Sequence, residues 1–125
     1  MAKTAAQMVA DAKARTESLT PDQVAAERDA GGALVVDIRD ADQRTADGSI
    51  PGAIHASRGM LEFYADPTSP YHRPEFDPNG RVILHCASGG RSALAADTLK
   101  ALGYTNVAHL EGGFKAWKEA GSPVE

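Results

Sequence analysis

The sequence has a single cysteine, Cys86, so no disulfide can form within the chain. A small secreted domain stapled by disulfides is therefore excluded. Long apolar runs are also missing, because Asp11, Lys13 and Arg15 interrupt the alanine-rich segment near the N-terminus. No stretch reaches the length of a secretory signal or a membrane span. We therefore expect a cytoplasmic protein without membrane contact, in which Cys86 stays reduced.

An excess of positive charge is also lacking. Thirteen Lys and Arg residues stand against 17 Asp and Glu, which gives a net charge of -4. This balance provides no basic surface for nucleic acid or for an anionic membrane. The four histidines show no metal-ligand spacing, so we expect no metal and no other cofactor. The length of 125 residues suits one compact domain.

Short apolar segments alternate with helical patterns along the chain. Strands are predicted at 33–38, 81–85 and 106–110, with a further short strand within 50–57. Helices are predicted at 4–19, 21–29, 92–102 and 112–121, the second of them started by Thr20 and Pro21. Residues 40–49 are predicted as a polar loop or a short helical turn. This alternation predicts an α/β domain with a mainly parallel sheet.

The cysteine lies in the stretch "LHCASGGRSALAA", residues 84–96, between a predicted strand and a predicted helix. In open α/β sheets, ligands gather at the carboxyl ends of the strands. Small residues let successive backbone N–H groups turn inward, and the following helix adds the positive end of its dipole. Both effects favour a thiolate, so we expect a lowered pKa for Cys86. The candidate active-site loop is Ala87, Ser88, Gly89, Gly90, Arg91 and Ser92. The alternative is a buried structural cysteine, which is common for a lone thiol.

The length of this loop limits the chemistry. Four residues separate Cys86 from Arg91, and the next position is Ser92. Protein tyrosine phosphatases have five residues between their cysteine and arginine, because their loop wraps a tetrahedral phosphoryl group. The shorter loop suits a smaller transferred atom.

Four stretches together resemble the single-domain rhodaneses, a family of sulfurtransferases. They are "VVDIRD" at 35–40, "GSIPGAIHAS" at 48–57, "CASGGRSALAADTLKALGY" at 86–104 and "HLEGGFKAWKEAG" at 109–121. The resemblance covers residues 19–125, which we interpret as a rhodanese-like domain, and leaves residues 1–18 as an N-terminal helical extension. It implies a central, mainly parallel sheet of about five strands flanked by helices in a single domain.

The resemblance also implies an activity of the thiosulfate:cyanide sulfurtransferase type. Cys86 would accept a sulfane sulfur from a donor such as thiosulfate and carry it as a persulfide. An acceptor such as cyanide, a low-molecular-weight thiol or a protein thiol would then remove it. Arg58 and Arg91 are the candidates for binding the donor, and Asp37 for bracing the site through hydrogen bonds.

Two other functions compete with this interpretation. The first is a persulfide carrier or regulatory binding module with little turnover of its own. The second is a phosphatase or arsenate reductase, against which the loop length argues. A proline-rich excursion at 65–80 adds a further hypothesis, that Tyr71, His72 and Arg73 form a rim of the active-site pocket. The alternative is a surface loop held by its prolines.

Overall fold

The computed structural model describes residues 2–125, and its centre is a five-stranded parallel sheet. The strands are β1 (Glu17–Leu19), β2 (Ala33–Asp37), β3 (Ile54–His55), β4 (Arg81–His85) and β5 (Val107–Leu110). They lie in the order β1-β5-β4-β2-β3, and every neighbouring pair is parallel. The predicted α/β fold, a single domain with a parallel sheet of about five strands, is confirmed. All five carboxyl ends therefore lie at one edge of the sheet.

Six α-helices surround the sheet. They are α1 (Ala5–Arg15), α2 (Pro21–Ala30), α3 (Ala41–Asp47), α4 (Leu61–Ala65), α5 (Gly90–Ala101) and α6 (Gly113–Glu119), with a 3-10 turn at Arg58–Met60. The predicted start of α2 is confirmed, because Thr20 Oγ1 accepts a hydrogen bond from the Gln23 N–H at 3.2 Å. Among the helices of residues 2–125, none combines the length and the apolar character that a bilayer crossing requires.

Alternate residues of β4 supply the cores on both faces of the sheet, because neighbouring strand residues point in opposite directions. Val82 and Leu84 pack with Leu99 of α5 on one face. Ile83 packs with Val24 of α2 and Trp117 of α6 on the other. Since β4 is buried on both faces, its carboxyl end is held firmly, and Cys86 is the next residue after that end.

The helix predicted over 4–19 is wrong at its C-terminal end, where the chain forms a strand. Helix α1 ends at Arg15, and residues 17–19 form β1, which pairs with β5. Leu19 is buried and lies opposite Leu110, so a distant strand outcompetes the local helical preference. The predicted boundary between residues 18 and 19 thus falls inside a strand, and Met1 of the predicted extension lies outside the described residues.

The excursion after α4 is tied to the body of the domain. Phe76 is buried in the core beside α5, and Arg73 donates to the His55 carbonyl oxygen at 2.7 Å. Glu75 and Asp77 lie beside Arg81, at the amino end of β4. The last part of the excursion therefore lies at the sheet edge opposite to Cys86.

Candidate active site

Cys86 follows β4 directly, and its sulfur accepts backbone hydrogen bonds from the loop that leads into α5. The Gly89 N–H donates to Sγ at 3.1 Å and the Ser92 N–H at 3.4 Å. The Ser92 hydroxyl oxygen lies 3.6 Å from the sulfur. The loop thus encloses the sulfur in donors, as a nest for an anion does.

The inward turn of these amides requires glycine at two positions. Gly89 has φ +106°, in the left-handed region that residues with a Cβ rarely adopt. Gly113, at φ +63°, lies so close to the loop that a Cβ there would come within 2.6 Å of the Ala87 carbonyl. The start of α6 can therefore hold the outward carbonyls: the Phe114 N–H donates to Cys86 O at 2.8 Å and the Lys115 N–H to Ala87 O at 3.1 Å. Outward carbonyls leave the amides facing the sulfur.

The pKa of the Cys86 thiol is lowered by this environment. Burial alone would raise it, because a thiolate loses its hydration there. The Ser92 hydroxyl and the amides of Ser92, Gly89 and Ser88 act in the opposite direction and prevail. The residue is 1% exposed. The lowered pKa thus arises from hydrogen bonds and not from water.

Behind the loop lies a buried ion pair. The Arg39 guanidinium donates to both carboxylate oxygens of Asp37, the shortest contact being 2.7 Å, and neither residue is more than 1% exposed. A second arginine, Arg44, also donates to the carboxylate, at 3.0 Å. Burial would raise the pKa of Asp37, but Arg39 lowers it overall. The Arg39 guanidinium carbon also lies 4.2 Å from the centroid of the Phe114 ring.

His85, the residue before Cys86, lies beside this ion pair. Its ring stacks on Phe114, and its Nε2 lies 3.8 Å from the Asp37 carboxylate. Burial lowers the pKa of His85 to about 4, against a smaller opposing effect of Asp37. The ring is therefore neutral near pH 7.

Arg91 is held at the mouth of the loop by a neutral partner. Its guanidinium donates to Gln43 Oε1 of α3 at 3.1 and 3.2 Å. Within residues 2–125, no carboxylate forms an ion pair with it. Its charge is therefore uncompensated at the sheet edge where Cys86 lies.

Arg58 occupies a different position. Its guanidinium pairs with Glu62 at 2.7 Å and donates to Thr98 Oγ1 at 3.3 Å. Thr98 is six residues beyond Ser92 in α5, a rise of about 9 Å along the helix axis. The structure thus brings Arg91 to the Cys86 loop and joins Arg58 to α4 and α5.

The predicted rim residues have partners of their own. His72 Nε2 lies 3.1 Å from Phe76 O, and Arg73 pairs with Glu75. Tyr71 is 61% exposed and contacts Phe63 edge to face. Among the hydrogen bonds and ion pairs of the described residues, none joins these three side chains to the loop.

A cleft of about 330 Å³ opens beside Ala87, between the end of α3 and helix α6. Phe114 forms part of its wall, and Lys115 and Lys118 line it. Asp47 and Glu119 line the cleft as well, so its wall carries charges of both signs next to the loop. In the part of the chain that the structure describes, no three His, Cys, Asp or Glu side chains are grouped as metal ligands.

The sequence analysis missed two residues that contact the site, Gln43 and His109. Gln43 Oε1 accepts from Arg91, as well as from the Asp40 amide at the start of α3. The Nδ1 atom of His109 lies 3.3 Å from the Ser92 hydroxyl. The available signal for His109 was a polar residue in the otherwise apolar strand segment "VAHL". For Gln43 it was the Asp-x-x-Gln spacing of a capping box.

Comparison with known proteins gives consistent matches. A family profile described as a rhodanese-like domain matches residues 20–120. Thiosulfate sulfurtransferase GlpE of Pseudomonas entomophila is 35% identical over 101 residues, which cover 80% of this chain and 83% of that protein. One further curated relative is matched over only 24% of its own length.

Solved structures match over a larger part of the chain. A Rhodopseudomonas palustris protein, described as of unknown function and a possible tyrosine phosphatase, is 42% identical with a TM-score of 0.94, covering 100% of this chain and 96% of that one. The polysulfide-sulfur transferase of Wolinella succinogenes, a homodimer, is 30% identical with a TM-score of 0.76, covering 94% and 83%.

Proposed function

Because this chain belongs to the family of rhodanese-like domains, we propose that it moves a sulfane sulfur from a donor to an acceptor through a persulfide on Cys86. Thiosulfate sulfurtransferase and polysulfide-sulfur transferase are names of relatives at 35% and 30% identity. The observation that carries the proposal is the position of the Cys86 sulfur, which accepts from two backbone amides at the carboxyl edge of the sheet.

The proposed reaction has two halves. In the first, the Cys86 thiolate attacks the outer sulfur of thiosulfate, a sulfur–sulfur bond forms, and sulfite leaves with the electron pair of the broken bond. In the second, an acceptor nucleophile such as cyanide or a thiolate attacks the outer persulfide sulfur, and the Cys86 thiolate leaves. The amides of Gly89 and Ser92 favour both halves, because they stabilise the thiolate that attacks first and departs last.

The acceptor must come from outside the chain. Cys86 is the only thiol, so no second cysteine can resolve the persulfide internally. The cleft beside Ala87, which two lysines and two carboxylates line, lies next to the loop, and we expect such a molecule to approach there. A low-molecular-weight or protein thiol fits a reducing compartment, and we place this chemistry in the cytoplasm.

Arg91 is the donor-binding residue in this proposal. Its guanidinium has a neutral partner, Gln43, so an anionic donor gains a charge contact there without breaking an ion pair. Arg58 would first have to leave Glu62. We expect Arg91→Ala to raise the KM for thiosulfate roughly tenfold, the scale of one charge-assisted hydrogen bond. We expect Arg58→Ala to raise it less. A KM unchanged in Arg91→Ala contradicts the assignment.

Mass spectrometry after incubation with thiosulfate tests the proposed function. We expect a gain of one sulfur atom on Cys86, no gain in Cys86→Ser, and repeated formation of thiocyanate when cyanide is added. A gain of sulfur without turnover would instead indicate a persulfide carrier or regulatory module. Absence of any gain would contradict the proposal.

A phosphatase assay belongs in the same experiment, because the Rhodopseudomonas relative is described as a possible tyrosine phosphatase. We expect no hydrolysis of p-nitrophenyl phosphate. Four residues between Cys86 and Arg91 leave a loop shorter than a phosphoryl group requires. Hydrolysis that depends on Cys86 would overturn the assignment to sulfur transfer.

A further inference from the structure

A row of polar side chains leads from the Cys86 sulfur to the surface. The Ser92 hydroxyl oxygen lies 3.6 Å from Sγ and 3.3 Å from His109 Nδ1. On the other side of the ring, His109 Nε2 lies 2.9 Å from the Ser18 hydroxyl. Ser92 and His109 are fully buried, whereas Ser18 is exposed. The row therefore joins a buried thiol to solvent.

The fold fixes each member of this row. Ser18 and His109 are register partners in the neighbouring strands β1 and β5, so their side chains share one face of the sheet. Ser92 lies in the first turn of α5, which packs against β5 on that face. Leu84, the register partner of His109 on β4, is apolar and offers no competing hydrogen bond. His109 thus has one side-chain partner at each nitrogen.

One arrangement of protons satisfies every member. The Cys86 thiol donates to Ser92 Oγ, the Ser92 hydroxyl donates to His109 Nδ1, and His109 Nε2–H donates to Ser18. The Gly89 carbonyl oxygen also lies 3.3 Å from Ser92 Oγ. Of these two acceptors for the Ser92 proton, only the imidazole is basic enough to keep a proton.

Two charged residues face His109 from the elements around it. Glu111 follows β5, Lys13 lies on α1, and the two pair at 3.0 Å. Burial lowers the pKa of His109, Glu111 opposes this effect, and Lys13 adds to it. A ring that is neutral near pH 7 is a competent proton acceptor, and the nearby carboxylate favours the imidazolium once it forms.

We propose that His109 takes the proton of the Cys86 thiol through Ser92 and so generates the thiolate inside the buried loop. The thiol proton moves to Ser92 Oγ while the Ser92 hydroxyl proton moves to His109 Nδ1, which leaves a thiolate and an imidazolium. Nothing is oxidised or reduced, and the reverse transfer restores the thiol. The inference rests on the proposed role of Cys86 as the nucleophile, and it makes His109 a positioning and proton-holding residue that does not touch the substrate.

The pH dependence of alkylation by iodoacetamide tests this transfer without any sulfur donor. His109→Asn keeps a hydrogen-bonding group beside Ser92 but cannot accept a proton, and His109→Phe removes both properties. We expect both variants to move the midpoint of the profile upward by about one pH unit. At a pH below the midpoint, the alkylation rate of each variant should then be roughly tenfold lower than that of the wild type. The plateau at high pH should be unchanged, because the thiol ionises directly there. Circular dichroism at each pH verifies folding.

Two results of this assay would overturn the proposal. One is a set of superimposable profiles for all three proteins. The other is a profile of His109→Asn that equals the wild type while His109→Phe is shifted, since the hydrogen bond and not the proton would then matter. The alkylation assay uses no sulfur donor, so it stays valid even if the protein transfers no sulfur. The two proposals can therefore fail separately.

A second measurement needs no change at His109. The pKa of His109, followed by NMR of the ring, should be higher in the wild type than in Cys86→Ser, because a thiolate favours the imidazolium and a hydroxyl does not. Coupling between two sites is reciprocal, so this shift reports the same interaction as the alkylation profile. Equal pKa values in the two proteins would overturn the proposal even if the His109 variants did not fold.

Discussion

At the scale of single residues, Gly89 and Gly90 of the Cys86 loop serve different purposes. Gly89 has φ +106°, and a Cβ there would come within 3.2 Å of the Gly112 nitrogen. Gly90 begins α5 without a positive φ, and a Cβ there would meet Val9 at 3.8 Å, an ordinary contact. Only the first glycine is required by the backbone.

Alanine at each position separates these roles. We expect Gly90→Ala to raise the free energy of unfolding by about 0.4–1 kcal/mol, because the unfolded chain loses freedom at no cost to the fold. Gly89→Ala should lower it by about 1 kcal/mol or more and slow alkylation of Cys86, because the amide moves away from the sulfur. Urea unfolding measures the first effect and alkylation the second. Equal behaviour of the two variants would contradict this account.

The Asp37–Arg39 pair is a second prediction at this scale. Asp37→Asn leaves a buried guanidinium without a charge partner, so we expect the free energy of unfolding to fall by about 3–5 kcal/mol. Asp29→Asn is the matched control, since it breaks an ion pair whose carboxylate is 68% exposed. That change should cost at most about 1 kcal/mol. If urea unfolding showed similar losses of free energy for both variants, burial of the Asp37–Arg39 pair would not determine its contribution to stability.

At the scale of elements, the sequence predicts what is local and misses what is distant. Strand β4 and helix α5 follow from a short apolar run and a helical spacing, and the loop between them is contiguous with both. Strand β1 has three residues, two of them exposed, and it exists because β5 lies beside it. The Cys86 loop could thus be predicted, whereas the contact of Ser18 with His109 joins residues 91 positions apart.

Helix α1 gives a prediction about an element. Ala12 is fully buried, and ion pairs join Lys13 to Glu111 and Arg15 to Asp97. Deleting residues 1–15 removes this packing but keeps β1, so we expect a folded protein that is less stable by about 1–3 kcal/mol.

Deleting residues 1–19 is the matched comparison, because it also removes β1. The edge of β5 then becomes unpaired, and we expect a larger loss of stability together with self-association. Urea unfolding and size-exclusion chromatography measure the two effects. If both deletions behaved alike, β1 would be dispensable, and a domain boundary at residue 18 would describe the chain correctly.

At the scale of the whole molecule, the buried histidines make stability depend on pH. The pKa of His85 is about 4 in the folded protein and 6.5 in its ordinary state, and that of His109 is also lowered. Between pH 6.5 and 4 the unfolded chain therefore binds more protons than the folded one. Above pH 6.5, His85 is neutral in both states and lowers the free energy of unfolding little. As the pH falls below 6.5, this free energy decreases, by up to about 3 kcal/mol at pH 4.

Below pH 4, the free energy of unfolding still decreases with falling pH, but carboxyl groups and no longer His85 cause the decrease. Asp37 has a lowered pKa, so its contribution to stability is present above its ordinary value of 3.8 and is lost as the pH falls through the folded value.

We expect His85→Gln to reduce the slope of the free energy of unfolding against pH between pH 6.5 and 4. The reduction corresponds to up to one proton, about 1.4 kcal/mol per pH unit, and the slope below pH 4 should be unchanged. Free energies from urea unfolding at half-unit steps give both slopes. A slope between pH 6.5 and 4 that is equal in the variant and the wild type would contradict the assignment to His85. Since His109 titrates in the same direction, the double variant His85→Gln/His109→Asn should be flatter still over that range.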